Sequence, residues 1–355
     1  LSKSTNIQHV SLFKKVFAFV VIVLFIGVSS SPSFGAGIVE KSCMSTSDGN
    51  ILYVGGSGLG NYTRIQDAID NASDGDTVFV YNGTYYENIH VYEHGEFITL
   101  IGENKSITII DGQRVGPVIT IGSNLNIKGF TIQNSTRDGD WNAGMYVEVG
   151  SLISDNIIIN NGYGIRLYYT FGHTISDNII EENEYDGIDI FGSHEITVKD
   201  NCIRNNKGSG ISASPSTSNI VINNIIDNNS NGIISLGGSY WDISYNIISN
   251  NTVGINLRPF LWIYSFGSSI IANEISNNGM GIVICRSYNN LILTNNFIDN
   301  TENAYFNSFS FFNTWDGNYW DGPQEPPCVI KGKLFFFLIP WLNFDWHPAQ
   351  EPYEI

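Results

Sequence analysis

An all-β solenoid, a parallel β-helix of about ten coils, is the fold this sequence predicts. Three observations carry it. A short phrase built on glycine recurs at Gly144, Gly164, Gly187, Gly210, Gly232, Gly254 and Gly281, as in "NNGYGIRL" and "YDGIDI". A column of asparagines runs in step with it: Asn156, Asn178, Asn201, Asn224, Asn246, Asn273 and Asn295. Five residues after each stands another, from Asn161 through Asn183, Asn206, Asn229, Asn251 and Asn278 to Asn300.

Taken in chain order, residues 1–36 read as a signal peptide. Lys14 and Lys15 precede the apolar run Val16–Val28, and the small residues "SSSPSFGAG" follow. The run falls short of the roughly 20 residues of a spanning helix, so membrane contact is expected only if this segment stays uncleaved as an anchor. Residues 37–50 form a linker, 51–322 the repeat domain and 323–355 a C-terminal capping segment. "TRIQDAIDNASDGD" predicts a short capping helix, with Thr63 and Gln66 at capping-box spacing and Ile65, Ala68 and Ile69 on its apolar side. "TVFV" then opens the barrel.

Inside the coils, apolar residues alternate with variable ones. Ile165 and Leu167, Ile188 and Ile190, Ile255 and Leu257, and Ile282 and Ile284 follow the glycines. Ile158, Ile180, Ile203, Ile226, Ile248, Ile275 and Phe297 follow the asparagines, which gives each strand one buried and one wet face. Coils stacked about 4.8 Å apart bring equal positions into columns. An inward asparagine at a corner then bonds to backbone and to the asparagines above and below it. Glycine is expected to supply the turn conformation and the close approach of the next coil. The stretch "KLFFFLIPWLNFDW", 333–346, is too apolar to stand free in water and is expected to fold over the last coil.

These features resemble a known family. "YTRIQDAIDNASDGDTVFVYNGTYYENI", the glycine and asparagine coils, and "GNYWDG" at 317–322 are similar to right-handed β-helix proteins of the pectin-lyase-like superfamily. They are most similar to NosD-type (periplasmic copper-binding) repeats of archaeal secreted and surface proteins. The resemblance implies a right-handed helix and export, and its name implies copper. The residues argue against the metal. Past the leader stand His90, His94, His173, His194 and His347 with Met44, Met145 and Met280, and they form no cluster of the soft ligands copper favours.

Charge narrows the function. A net charge of -17 excludes nucleic acid as a partner and suits an exported protein. Sequons at Asn61, Asn71, Asn82, Asn104, Asn134, Asn228 and Asn250 would allow glycosylation after export. Cys43, Cys202, Cys285 and Cys328 match no metal motif, and no disulfide pairing can be assigned. The outward places after three consecutive glycines are Tyr146 and Glu148, Arg166 and Tyr168, and Asp189 and Phe191. Rings that stack on sugars, an arginine for a uronate carboxylate, and acids for proton transfer are what a carbohydrate groove needs. A solvated strand face with ion pairs across coils would carry the same residues.

Two further columns stand out. Asp155, Asp177 and Asp200 each precede a ladder asparagine; they would be solvated turn carboxylates or, bridged by a hard cation, a Ca²⁺ site. Ile157, Ile179, Cys202, Ile225 and Ile247 follow the ladder asparagines and should point outward as an apolar stripe, an association surface if exposed. The first functional expectation is a secreted or cell-surface binder of carbohydrate or cell-envelope components, without catalysis. A polysaccharide lyase, hydrolase or epimerase is the second, and a copper-handling accessory protein the third.

Overall fold

The computed structural model describes residues 49–92, 97–139, 142–334 and 339–355. The expected signal peptide, Cys43, Met44, His94 and Phe335 to Leu338 of the tail lie outside the described residues. Within Ser47–Ile355 the chain is a right-handed parallel β-solenoid of about twelve turns, two more than the sequence suggested. Each full coil lays down three short strands, such as Tyr163–Tyr168, Thr174–Ser176 and Ile179–Glu181. Every strand pairs in parallel with the equivalent strand of the next coil, Ile165 opposite Ile188 and Ile179 opposite Cys202. The third strands form an 11-stranded sheet of their own. Among the described residues the other two stacks join through the terminal hairpin Cys328–Leu334 and Ile339–Asp345.

The alternation read from the sequence places the core. Ile165, Leu167, Ile188 and Ile190 are fully buried, as are Ile158, Ile180, Ile203 and Ile226. At one corner the asparagine ladder is continuous. Asn178 donates its backbone N–H and its Nδ2 to Asn201 Oδ1, both at 3.0 Å, and donates Nδ2 also to the Ile153 carbonyl at 2.9 Å. The same pattern links Asn156 to Asn178 and runs on through Asn224, Asn246, Asn273 and Asn295. A parallel ladder runs through Asn161, Asn183, Asn206, Asn229, Asn251, Asn278 and Asn300.

The expected role of the glycines needs correction. None of the seven repeat glycines has a positive φ. The left-handed corner residues instead precede the asparagines: Asp155 at 54°, Asp177 at 59°, Asp200 at 57° and Asn223 at 56°. Asp and Asn tolerate that region through local hydrogen bonding of their short side chains. The glycines serve close approach alone. A Cβ at Gly164 would lie 2.8 Å from Ile180 Cγ2 and 3.0 Å from Asn183 Nδ2, and would press on the Gly187 carbonyl.

The ends also differ in detail. A strand Ile51–Val54 precedes and pairs with Thr77–Val80, so "TVFV" is not the first. The helix Ile65–Asp70 forms, with Ile65, Ala68 and Ile69 buried, but the Thr63–Gln66 capping box does not cap it. Glu87 accepts the Ile65 and Gln66 N–H groups instead, at 2.9 and 3.1 Å, and Gln66 turns its side chain to Asp70 and His90. At the other end, among the described residues of the tail, Ile330 and Leu334 are buried while Ile339, Trp341 and Leu342 stay about half exposed. The tail also buries a carboxylate, that of Asp345. That carboxylate accepts Asn318 N–H at 2.9 Å, Asn318 Nδ2 at 3.0 Å and Trp320 Nε1 at 3.0 Å, and so terminates the ladder after Asn295 and Asn318.

The apolar column Ile157 to Ile247 does face outward, as alternation requires. Ile225 is 48% exposed and the other four are half-buried. Cys202, Cys285 and Cys328 are free thiols, half-buried.

The ladder yields a stability prediction. Asn201→Leu deprives the Asn178 N–H and Nδ2 of their shared acceptor and takes one donor each from the Ile175 and Lys199 carbonyls, at about 1–3 kcal/mol for each buried group left unpaired. Its thermal midpoint should drop well below that of an exposed strand control such as Asp242→Leu, and Asp345→Ala should loosen the C-terminal coils. Midpoints equal to the parent's would contradict the ladder's role.

Candidate functional site

The outward face of the strands that follow the glycines gathers a set of rings and charges. Strand register puts Tyr146 beside Arg166, Arg166 beside Asp189, and Tyr168 beside Phe191. Arg166 Nε lies 3.0 Å from Asp189 Oδ2, and its guanidinium sits 4.7 Å from the centre of the Tyr163 ring. Tyr163 stacks on Tyr185 at 5.0 Å, and Tyr168 stacks on Phe191 at 5.4 Å. By position along the strand Tyr163–Tyr168, the ion pair therefore stands between two ring pairs. Tyr146 approaches Tyr168 at 6.2 Å, and Tyr169 meets Tyr168 and Phe191 edge-on at 4.6 and 5.5 Å.

Five of the six predicted side chains come together here. The charge of the sixth, Glu148, acts on Tyr146 and Tyr92, whereas Asp189 feels Arg166 and Asp186. The charged groups that meet at the centre are Asp189, Arg166 and Asp186. Both Asp186, which the sequence groups with Glu181, Glu182 and Glu184 as a charged loop, and Tyr163 precede a repeated glycine, outside the alternation that marks the outward places.

Burial sets the electrostatics. Tyr146 and Asp189 point away from the core yet are buried, because neighbouring coils and loops wall the face. Removal from water pushes the Asp189 carboxyl up to about 7, against the opposing pull of Arg166, and the nearby Asp186 charge adds to the rise. Burial also raises Asp186, although its Oδ1 accepts the Ser209 N–H at 2.5 Å. The remaining acids of that stretch are surface groups: Glu181 pairs with Arg204 at 2.7 Å and Glu184 with Lys207 at 2.8 Å.

The metal candidates fare differently. Asp155 Oδ1 lies 2.6 Å from Lys105 Nζ, and Asp200 lies 3.7 Å from Lys199. With Asp177 they hold the left-handed corner conformation, which accounts for the column without a cation. Among the described residues no group of three or more His, Cys, Asp or Glu is placed to hold a metal ion. The imidazoles do not fit copper either. Buried His173 has Nδ1 accepting Ser151 N–H at 3.1 Å and Nε2 bonded to Thr170 Oγ1 at 2.6 Å, and burial pulls its pKa down to about 4. His194 is bonded to Thr217 at 3.0 Å, His347 to Asp316 at 2.7 Å, and His90 stacks on Tyr92.

A folded-state pKa near 7 for Asp189 gives a pH prediction. Raised above the ordinary carboxylate value, the group contributes stability below about pH 4 that is lost as pH climbs through 7. Asp189→Asn removes this term but not that of Asp186. The variant's urea midpoint relative to the parent should therefore rise between pH 4 and pH 8, by up to about 4 kcal/mol in stability. A difference independent of pH would contradict the burial argument.

Solved structures share the fold. The A-module of the Azotobacter vinelandii mannuronan C-5 epimerase AlgE6 aligns at 15% identity and a TM-score of 0.53, over 82% of this chain and 95% of that one. XylC in complex with xylose aligns at 12% and 0.58, over 77% and 76%. The catalytic domain of a GH87 α-1,3-glucanase in complex with nigerose aligns at 12% and 0.51, over 83% and 62%. No curated protein matches the chain. Among the described residues no helix is long and apolar enough to cross a membrane. The profile of a family described as periplasmic copper-binding protein (NosD) matches residues 69–240 and again 185–325. Its repeats span most of the solenoid, and the chain belongs to the NosD family.

Proposed function

We propose that this protein is exported and binds polysaccharide, or a glycan of the cell envelope, on the outward face around Arg166 and Asp189, without cleaving it. One observation carries the reading. Rings border a buried ion pair on both sides, and several of them reach solvent: Tyr168 is 36% exposed, Tyr185 40% and Tyr169 66%. Rings in such a row offer flat apolar faces to pyranose rings, while the polar floor between them meets hydroxyl groups. The neighbours named for mannuronan, xylose and nigerose support a sugar as ligand for this scaffold. Arg166 is engaged by Asp189 and Tyr163, which suits a fixed floor better than a reacting group.

A second reading is catalytic, as a polysaccharide lyase, hydrolase or epimerase. The Asp189 carboxyl favours it, since a pKa of about 7 is what a general acid or base requires at neutral pH. Turnover separates the two.

Affinity electrophoresis through gels containing uronate and neutral polysaccharides, with analysis of the polymers for new chain ends, is the direct test. The parent should be retarded by at least one polymer without releasing product. Tyr169→Ala should weaken retardation several-fold, a stacked ring being worth about 0.5–1.5 kcal/mol. New chain ends that disappear in Asp189→Asn would establish the catalytic reading instead. Retardation by no polymer would overturn both.

A further inference from the structure

Along the two asparagine ladders one coil is longer than the others. The ladder steps of 22 or 23 residues become 27 between Asn246 and Asn273, and again between Asn251 and Asn278. The extra residues follow Arg258 as "PFLWIYS". Insertions in a solenoid coil emerge as loops on one face, often the binding face.

This insertion is an ordered hairpin. Phe260 and Ile263 exchange backbone hydrogen bonds at 2.9 and 2.8 Å, and Leu261 takes the left-handed conformation at the tip. Its base is tied down because the Arg258 carbonyl accepts Gly237 N–H at 2.7 Å and Ser265 Oγ at 2.8 Å. Phe260 reaches back to meet Phe191 edge-on at 6.4 Å, so the hairpin continues the ring border of the site described above. Its tip is left in water: Leu261 is 75% exposed and Trp262 87%.

Arg258 stands at the foot of this hairpin, outward and exposed. Its Nε donates to Asn256 Oδ1 at 2.8 Å, and the buried Asn256 is held in turn by Asn231 at 3.0 Å. This chain of bonds fixes the guanidinium plane. Arg258 has no carboxylate partner among the described residues. Arg64, Arg137, Arg166 and Arg204 all have one. In a chain with 34 acidic and 17 basic residues, an oriented arginine without an acid beside it is a charge held available. Arg286 adds to the local positive field, since both arginines act on the Cys285 thiol.

We propose that Arg258 and the Phe260–Ile263 hairpin form a subsite for an acidic sugar, with the guanidinium receiving a uronate carboxylate and Trp262 stacking on the ring that bears it. A fixed guanidinium binds a carboxylate through two parallel N–H bonds, and an exposed indole offers the widest ring for the sugar face. The proposal rests on the glycan reading above and specifies the ligand's charge.

The test uses the full chain, polygalacturonate and neutral xylan, with dissociation constants from titration calorimetry. Arg258→Gln should weaken polygalacturonate binding at least tenfold and leave xylan binding and the thermal midpoint unchanged. Arg258→Lys, which keeps the charge but not the fork, should fall between parent and Arg258→Gln, and Trp262→Ala should weaken both polymers. Equal polygalacturonate affinity in parent and Arg258→Gln overturns the subsite. Xylan binding without any polygalacturonate binding also overturns it while the glycan groove stands; binding of neither polymer removes both. Loss of a dimer or of vesicle binding in Trp262→Ala, with polygalacturonate affinity intact, would assign the hairpin to another copy or to lipid and overturn the proposal.

Discussion

Everything in this solenoid depends on one repeated contact, the asparagine amide that bridges coil to coil at the corner. A strand that bends leaves N–H and carbonyl groups unpaired in a dry interior, and an amide is the compact group that answers both kinds. Each ladder asparagine accepts the N–H and Nδ2 of the asparagine one coil before with its oxygen, and gives its own Nδ2 to the next asparagine and to a carbonyl of the coil before. Such a chain needs an end that only accepts. Asp345 is that end, a carboxylate delivered by the tail and surrounded by N–H donors from Gly317, Asn318, Trp320 and His347. With corners fixed, strands stay in register, and outward residues of successive coils become columns that composition alone can turn into a binding face.

Periodicity made the repeat legible, because each coil repeats the same physical problem and solves it with the same residue. Gly-Ile-x-Ile and Asn-x-Ile therefore located the core, both ladders and the outward columns. A third corner was missed because its solution varies. Thr170, Ser193, Ser216, Ser265, Ser287 and Ser310 line it with buried hydroxyls, and the column is interrupted at Gly238. A Cβ at Gly238 would press within 2.9 Å of Trp241 Nε1, whose indole donates to the Ser216 carbonyl at 3.2 Å. The substitution of one small residue makes room for a large one, and that exchange has no period to detect. Glu87, which caps the helix from a distant position, was hidden for the same reason.

The candidate site divides along that line. Its membership followed from alternation, since Tyr146, Arg166, Tyr168, Asp189 and Phe191 are outward places. Its electrostatics did not, because burial of an outward carboxylate depends on walls supplied by other coils and loops. The same holds for Arg258, which has the same residue type as Arg166 but lacks an acid opposite it. Copper, implied by the family's name, finds no donor set among the described residues, where the imidazoles are already committed to hydroxyl, carboxylate and ring partners. Family membership thus describes the scaffold more closely than the chemistry on its surface.

Hydrogen exchange at the backbone amides of Asn178, Asn201 and Asn224 tests the central claim most directly. These N–H groups are bound by side-chain oxygens of the next asparagine rather than by a strand ladder. If the amide stack holds the corners, they exchange as slowly as the adjacent strand amides of Ile180, Ile203 and Ile226, through opening of the whole coil. Exchange at the rate of an ordinary surface turn, while those strand amides remain protected, would show that the corners open independently and that the stack does not hold the coils in register.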